Sequence, residues 1–318
     1  MQVVDFKTAH IEQAEQIAKR SYEEERGFVP ALPPMDAIPD LTQYVENGLG
    51  VAALKDGTML GYLCAAGPFD NAFCSTEATG VFSPMGAHGA ALDNRADIYA
   101  RMYQAAGEKW VRAGASSHAI CLYAHDRETQ EQFFRYGFGM RCIDAIREMD
   151  ELTTPLPERY SFGRVTLEDS LAVLPLDNLL DQGYIDSPFF MFRAGHSEEE
   201  WSTYWKESDP TCFAAYCDRK AVAFILAELY GETIIQETLG YRHITGLYCL
   251  PEHRSKGISQ KLLSLLIQNL KADGYTRLGV DYESVNPSGS AFWQKYFTAY
   301  THSVVRRIDE HALPQKNL

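Results

Sequence analysis

Apolar residues recur along the chain at two spacings, and each spacing predicts one kind of element. The helical spacing of three and four is clearest at Ile258, Leu262, Leu266 and Leu270, and Gly274 follows as a stop. Helices are also predicted over 8–25, 41–47, 93–113, 128–137, 167–182, 197–207 and 286–297. Strands are predicted over 2–5, 50–54, 59–66, 77–82, 119–124, 160–165, 212–217, 221–228, 244–250 and 277–284, with an alternating tail after 297.

Turn residues and a change in composition divide these elements into two groups. Asp56-Gly57 lies between two strand runs and predicts a hairpin. The stretch 150–158 combines acidic residues with prolines, which marks a domain boundary. We therefore predict domains over 1–150 and 159–318, joined by a linker over 151–158. The two domains share an order of elements with little residue identity, although any α/β domain with two hairpins would look similar.

The loop between strand 244–250 and the following helix has the composition of an anion site. Its sequence is Arg254-Ser-Lys-Gly-Ile-Ser259. The N–H groups at the start of a helix point to one place, and Gly257 lets an anion approach the backbone without a Cβ in the way. Arg254 and Lys256 add positive charge. These features predict a pyrophosphate site, and the alternative is an ordinary strand-to-helix turn that contains a glycine.

The residues after this helix carry a resemblance to a known family. Strand 277–284 is followed by Asn286 and then by Phe292-Trp-Gln-Lys295. Together with the Arg-x-x-Gly-x-Ser loop, this order resembles the GNAT superfamily of acyl-CoA-dependent N-acyltransferases over about 221–307. Ser259 departs from the Gly or Ala that usually ends the family's loop. A dinucleotide-binding fold is a weaker interpretation, because G-x-G-x-x-G is absent and no βαβ repeat follows.

The first half contains a weaker copy of the same pattern. Its counterpart of the loop is 83–91, with Gly89 where the second half has Gly257, but with Gly86 where the second half has Arg254. The whole chain therefore resembles tandem-GNAT proteins with a degenerate N-terminal unit. This resemblance implies an α/β (α+β) fold of two tandem GNAT-like domains, each a mixed, mainly antiparallel central sheet flanked by helices.

The resemblance also implies acetyl-CoA as the co-substrate. Its pyrophosphate would lie on the 254–259 loop and its pantetheine along the end of strand 244–250, and an amine would attack the thioester directly. The residues implied to bind acetyl-CoA are Tyr248, Cys249, Leu250, Arg254, Ser255, Lys256, Gly257, Ile258, Ser259, Asn286 and Trp293. No metal is expected.

The catalytic groups are less well defined. Many family members have a Tyr acid seven residues after the Asn, but this chain has Trp293 there, whose indole cannot act as an acid near neutral pH. We prefer Tyr282 to Tyr296 as a substitute because Tyr282 ends a strand, where ligands of open α/β sheets usually lie. Another tyrosine, or unaided departure of the CoA thiolate, is the alternative. His243 and Glu283 are the candidate bases, although a structural His and a solvated carboxylate are the ordinary interpretations.

The first unit is predicted to be inactive. It has no Arg in its loop, and Phe134 occupies the position of the family's Tyr. Glu77 precedes the loop at a spacing typical of a base, so an active first site stays an open alternative.

The composition of the chain indicates its partners and its compartment. Lys and Arg number 29 against 43 Asp and Glu, a formal net charge of −14, which argues against nucleic acid as a partner and weakly favours cationic amines. The seven cysteines are scattered without C-x-x-C pairs, which fits reduced thiols in a cytosol. No apolar run reaches the roughly 18 residues of a membrane span. We expect a cytoplasmic protein that needs no membrane and is compatible with a homodimer.

Two functional hypotheses from different classes follow from these observations. The first is N-acyltransfer from acetyl-CoA to a primary amine of a small molecule or peptide. The second is a non-catalytic acyl-CoA sensor or regulatory module, which the replacement of the usual Tyr by Trp293 favours.

Overall fold

The chain divides into two compact units. The structure is a computed structural model that describes residues 1–35, 38–74, 78–229, 231 and 233–314. Unit 1 comprises Met1–Ile143 and Ala299–Leu318, and unit 2 comprises Asp144–Thr298. Among the described residues, no helix is both long enough and apolar enough to cross a membrane.

Helices and strands alternate along the whole chain. The helices are α1 (Ile11–Phe28), α2 (Thr42–Glu46), α3 (Arg95–Arg112), α4 (Arg127–Arg135), α5 (Leu174–Gly183), α6 (Glu198–Ser208), α7 (Ile258–Ala272) and α8 (Pro287–Trp293). The strands are β1 (Gln2–Asp5), β2 (Val51–Lys55), β3 (Thr58–Leu63), β4 (Ala66–Phe69), β5 (Gly80–Ser83), β6 (His88–Ala90), β7 (Ser117–Tyr123), β8 (Gly139–Glu148), β9 (Ser161–Val165), β10 (Thr211–Cys217), β11 (Lys220–Glu228), β12 (Tyr241–Cys249), β13 (Arg277–Glu283) and β14 (Thr298–Arg307).

Unit 1 is built around two sets of paired strands. Strands β1, β2, β3 and β6 form one antiparallel sheet in that order. In the other set β4 pairs with β5 antiparallel, β5 pairs with β7 parallel, and β7 pairs with β14 antiparallel. The buried core between helix α3 and the strands includes Met102, Trp110, Ile120 and Phe133. The C-terminal strand therefore completes the sheet of the N-terminal unit.

Unit 2 has a mainly antiparallel sheet with one parallel pairing. Strands β9, β10, β11 and β12 pair antiparallel in that order, and β12 pairs with β13 parallel. Helix α7 buries its apolar face, including Leu262, Leu266 and Leu270. A separate cluster includes Trp201, Trp205, Phe224 and Leu226 from α6 and β11. The predicted fold class is confirmed: mixed, mainly antiparallel sheets are flanked by helices in both units.

Most predicted elements are confirmed, with small shifts at their ends. Asp56 and Gly57, at φ 51° and 81°, form the tight turn between β2 and β3. The linker prediction over 151–158 falls on residues without regular structure. The predicted strand 77–82 begins at Gly80, and residues 75–77, including Glu77, lie outside the described residues.

Two expectations differ from the structure for physical reasons. The helix predicted over 167–182 begins at Leu174, because Pro175 fits the first turn of a helix but not its interior. The predicted loop 83–91 contains strand β6, which pairs with β3. Compact unit 1 is not contiguous in sequence, because β14 pairs with β7 across a long sequence separation. The domain bounds 1–150 and 159–318 themselves stay a prediction.

Candidate functional site

In unit 2, the parallel strands β12 and β13 diverge towards their C-terminal ends. Their pairing runs from Tyr241 opposite Arg277 to Ile244 opposite Val280, and within the described residues it stops there. Beyond this point lies a cavity of about 540 Å³. It is lined by the end of β12, the loop before α7, the start of α7 and the residues after β13, so it opens where the two strands separate.

A β-bulge lies beside the point of divergence. Leu226 of β11 faces Gly246, but the next residue of β11 faces Ile244, so Thr245 is an extra residue in β12. A bulge bends its strand and redirects side chains, and bulges are common next to active sites.

The loop before α7 has the backbone that an anion site requires. Gly257 precedes the helix at φ 78° and lines the cavity, and Ser255 also has a positive φ of 59°. Ile258, Ser259 and Gln260 open the helix, so their N–H groups have no partner inside it. A Cβ on Gly257 would lie 3.7 Å from Gln260 Oε1, an ordinary van der Waals contact, so the protein has room for a Cβ without a clash.

The two cations of the loop are held by its own backbone. The Arg254 guanidinium donates from Nε to the Cys249 carbonyl at 2.9 Å and lies over the Tyr248 ring at 5.6 Å. Lys256 donates from Nζ to the Glu252 carbonyl at 2.7 Å. Their positive charge is therefore kept close to the start of α7, where the helix dipole also favours an anion.

A chain of hydrogen bonds joins β12 and β13 at the point of divergence. The Tyr241 hydroxyl lies 2.7 Å from His243 Nδ1, and His243 Nε2 lies 2.7 Å from Asp281 Oδ1. His243 is 1% exposed. Glu228 of β11 faces His243 in the strand register and is also buried. Burial raises the pKa of Tyr241 well above its usual value.

More charged groups lie on α5 and on the segment after it. Arg193 lies 3.9 Å from Glu283 and stacks over the Tyr184 ring at 3.8 Å. Burial raises the pKa of Tyr184 to about 12. Asp177, Asp181 and His196 offer ligand atoms within 4.8 Å of one another, a spacing that could share a cation. Burial and then the charge of Asp181 raise the pKa of Asp177 to about 6.

The predicted site residues fall into two groups. Those that line the cavity are Tyr248, Cys249, Arg254, Ser255, Gly257, Ile258, Ser259, Asn286 and Trp293. Lys256 lies on the same loop, whereas Leu250 packs against the core and donates its N–H to Val222. Of the predicted catalytic residues, His243 and Glu283 lie near the point of divergence, and Tyr282 is buried and absent from the cavity lining.

The cavity also exposes residues that the sequence analysis did not select. Tyr296 lines it, and Gln260 donates to the Tyr296 hydroxyl at 2.5 Å. The sequence predicts one helix over 286–297, which would contain Tyr296. Helix α8 ends at Trp293, and the turn that follows brings Tyr296 to the cavity. The sequence-based preference for Tyr282 over Tyr296 therefore loses its geometric basis.

The part of the chain that surrounds the cavity matches a known protein family. Residues 180–297 match the model of the acetyltransferase (GNAT) family. This part of the chain is a GNAT domain. Its match includes β12, α7, β13 and α8, the elements that surround the cavity. No curated protein matches the chain.

The fold of the whole chain is similar to that of solved GNAT structures. A GCN5-related N-acetyltransferase from Sphaerobacter thermophilus matches with TM-score 0.60 and 12% identity, over 100% of this chain and 97% of that one. A glucosamine N-acetyltransferase region of a fungal GH3 β-N-acetylglucosaminidase matches with TM-score 0.50 and 13% identity, over 96% of this chain and 38% of that one. A tandem GNAT protein from the clavulanic acid pathway gives 0.46 and 12%, over 99% of both chains. At sequence identities this low, the similarity shows a shared fold and nothing about the activity.

Unit 1 has an ion-pair network where the GNAT domain has its cavity. In the GNAT domain, the starts of α7 and α8, at Ile258 and Asn286, both line the cavity. The corresponding starts in unit 1 are Arg95 of α3 and Asp126 before α4, and their side chains form an ion pair at 3.4 Å. Arg95 also pairs with Glu24 at 2.6 Å.

His125 extends this network. It contacts Glu24 at 2.9 Å and Glu25 more closely, and Phe28 stacks on its ring at 4.8 Å. Although burial lowers the pKa of His125, hydrogen bonds and charges from both glutamates raise it above its usual value. Asn94, at φ 57°, takes the place before α3 that Gly257 takes before α7, so the sequence-based choice of Gly89 as counterpart is wrong.

Proposed function

We propose that the chain is an acyl-CoA-dependent N-acyltransferase that carries acetyl from acetyl-CoA to a primary amine of a small molecule or peptide. The observation that carries the proposal is the cavity between the diverging ends of β12 and β13, with the open start of α7 in its wall. The match of 180–297 to the GNAT family supports the same chemistry.

In this proposal the diphosphate of acetyl-CoA accepts hydrogen bonds from the N–H groups of Ile258, Ser259 and Gln260. Hydrogen bonds to a charged acceptor contribute roughly 1.5–3 kcal/mol each. Arg254 and Lys256 add positive charge, and their bonds to loop carbonyls hold that charge beside the helix start. Asn286 is tied to its own helix, because its side chain accepts from the Gly289 N–H at 2.8 Å.

The thioester would lie along the end of β12. Leu250 donates its N–H to the Val222 carbonyl at 2.9 Å, towards β11. Because N–H directions alternate along a strand, Cys249 and Leu247 direct theirs to the side from which β13 has diverged. We assign the oxyanion contact of the tetrahedral intermediate to these two groups. Burial raises the pKa of the Cys249 thiol to about 11, which supports direct attack by the amine rather than a thioester on the enzyme.

Tyr296 is the proposed acid for the CoA sulfur, because it lines the cavity and Gln260 fixes its hydroxyl. We expect Tyr296→Phe to lower kcat by about 10²-fold, the lower end for a positioned acid. Tyr282→Phe is the matched control and should change kcat less than about twofold. Steady-state thiol release measures both variants. A larger loss of kcat in Tyr282→Phe would favour Tyr282 as the acid, as the sequence predicts. No loss of kcat in either variant would indicate that the CoA thiolate leaves without an acid.

A panel of amines tests the proposed activity. Acetyl-CoA is incubated with glucosamine, lysine methyl ester, putrescine and tyramine, and thiol release is followed together with the mass of each amine. We expect thiol release coupled to a mass gain of one acetyl group on at least one amine. Tight CoA binding without thiol release across the panel would instead favour the sensor hypothesis, to which Trp293 in the usual Tyr position points.

The setting of the protein is part of the proposal. We place it in the cytosol, with no metal, no membrane and no nucleic acid as a partner, and the proposal is compatible with a homodimer. The seven cysteines of the sequence are scattered and form no C-x-x-C pair, which favours a reducing compartment.

A further inference from the structure

Asp281 occupies the position where the two strands separate. The last residues paired between β12 and β13 are Ile244 and Val280, so Asp281 is the first residue of β13 beyond the pairing. On β12 the bulge residue Thr245 lies at the same level, and the cavity lining begins two residues later at Leu247. Asp281 therefore lies two residues along the strands from the part of β12 that lines the cavity.

His243 cannot itself reach an acceptor. Both of its ring nitrogens lie within hydrogen-bond distance of protein groups, the Tyr241 hydroxyl and Asp281 Oδ1. An ionised carboxylate only accepts, so His243 Nε2 carries the hydrogen and Nδ1 accepts from the Tyr241 hydroxyl. With a side chain only 2% exposed, the ring has no lone pair directed to a substrate.

Asp281 is more exposed than the other end of its hydrogen bond, His243. Its side chain is 28% exposed, against 2% for His243. The geometry points to Asp281 as the catalytic base that takes the proton from the acceptor ammonium, with His243 and Tyr241 as positioning residues behind it. This inference rests on the proposed function and replaces His243 as the direct base.

The proton balance of the step is complete. The ammonium R–NH₃⁺ loses one proton to Asp281, and the resulting amine attacks the thioester carbonyl carbon. Collapse of the tetrahedral intermediate breaks the C–S bond, the Tyr296 hydroxyl gives its proton to the CoA sulfur, and the second amine proton replaces it on Tyr296. The products are the amide, CoA thiol and one proton, which Asp281 returns to solvent.

Other charged and titratable groups surround this chain. They are Glu228 on β11, Glu283 on β13, Asp144 on β8, and Tyr184 and Arg193 after α5. Arg193 pairs with Glu283, whereas the Asp281 carboxylate has the His243 ring at 2.7 Å. Because the imidazole hydrogen bond orients the carboxylate, loss of His243 should disturb the base without removing it.

The pH dependence of turnover separates the two roles. Asp281→Asn keeps an oxygen that can accept from His243, but it removes the base. We expect it to lower kcat by about 10²-fold or more and to remove the acid limb of the pH profile. His243→Gln keeps an N–H near the Nε2 position, so its acid limb should persist at a shifted pH. Acetyl-CoA affinity should be unchanged in both.

A labelling experiment supplies a readout that does not depend on turnover. Carbodiimide with glycine ethyl ester should modify Asp281 in the folded protein, and diethylpyrocarbonate should leave His243 unmodified. An acid limb that survives Asp281→Asn but is lost in His243→Gln, or labelling of His243 with Asp281 protected, would overturn the inference. Thiol release by the wild type with unchanged turnover in Asp281→Asn would overturn only this inference, whereas no thiol release with any amine would defeat the proposed function as well.

Discussion

Gly257→Val should weaken acetyl-CoA binding by about 100-fold, equivalent to about 3 kcal/mol. An added Cβ at Gly257 would make only van der Waals contacts with the protein, and Gly257 lines the cavity, so the methyl groups of valine would occupy the room that a phosphate needs. The loss corresponds to one or two charge-assisted hydrogen bonds from the start of α7, each worth roughly 1.5–3 kcal/mol. Isothermal titration calorimetry with acetyl-CoA measures the change.

Gly274→Val is the matched control for this experiment. Gly274 follows the other end of α7, has a positive φ of 90°, and has no atom within 4 Å of an added Cβ. Both substitutions impose the same kind of left-handed strain, roughly 1–2 kcal/mol, so both should lower stability to a similar extent. Only the first lies in the cavity wall. Equal acetyl-CoA affinity in the two variants would contradict the proposal that the phosphates bind at the start of α7.

Arg95→Met should destabilise the protein by about 1.5–3 kcal/mol, the scale of hydrogen bonds between charged groups, because its ion pairs are partly buried. Arg95 is 11% exposed at its side chain and joins Glu24 to Asp126 in unit 1. Methionine keeps much of the length but leaves these carboxylates without their cation. Urea denaturation at pH 7 measures the free energy of unfolding, and the deficit should shrink below about pH 4, where carboxylates take up protons.

Arg101→Met provides the comparison on the same helix. Arg101 pairs with Asp97 at 3.0 Å, but both side chains are more than half exposed, so solvent screens the pair. This substitution should change stability little. If Arg95→Met lowered the free energy of unfolding as little as Arg101→Met does, the ion pairs of Arg95 would not be what holds the starts of α3 and α4 together.

Local signals account for what the sequence predicted well. Ser197 and Glu200 form the capping box that opens α6, because both partners lie within one turn. The loop at Gly257 was recognised for the same reason, since its positive φ and its helix start are adjacent in the chain. Such features need only a few neighbouring residues, and the sequence displays those directly.

Pairings between distant segments were not predictable in the same way. Strand β8 was not predicted, and the pairing of β14 with β7 depends on a register that no local pattern specifies. The contact of His243 with Asp281 joins residues 38 positions apart and exists only because β12 and β13 pair in one register. The position of Tyr296 likewise depended on where α8 ends.

The number of acetyl-CoA molecules bound per chain tests the account most directly. The GNAT domain has an open cavity at the starts of α7 and α8, whereas an ion pair joins the corresponding starts in unit 1. Calorimetric titration of the intact chain with acetyl-CoA should therefore give one site per chain, and Gly257→Val should weaken that site. Two sites per chain, or one site that Gly257→Val leaves unchanged, would contradict the account.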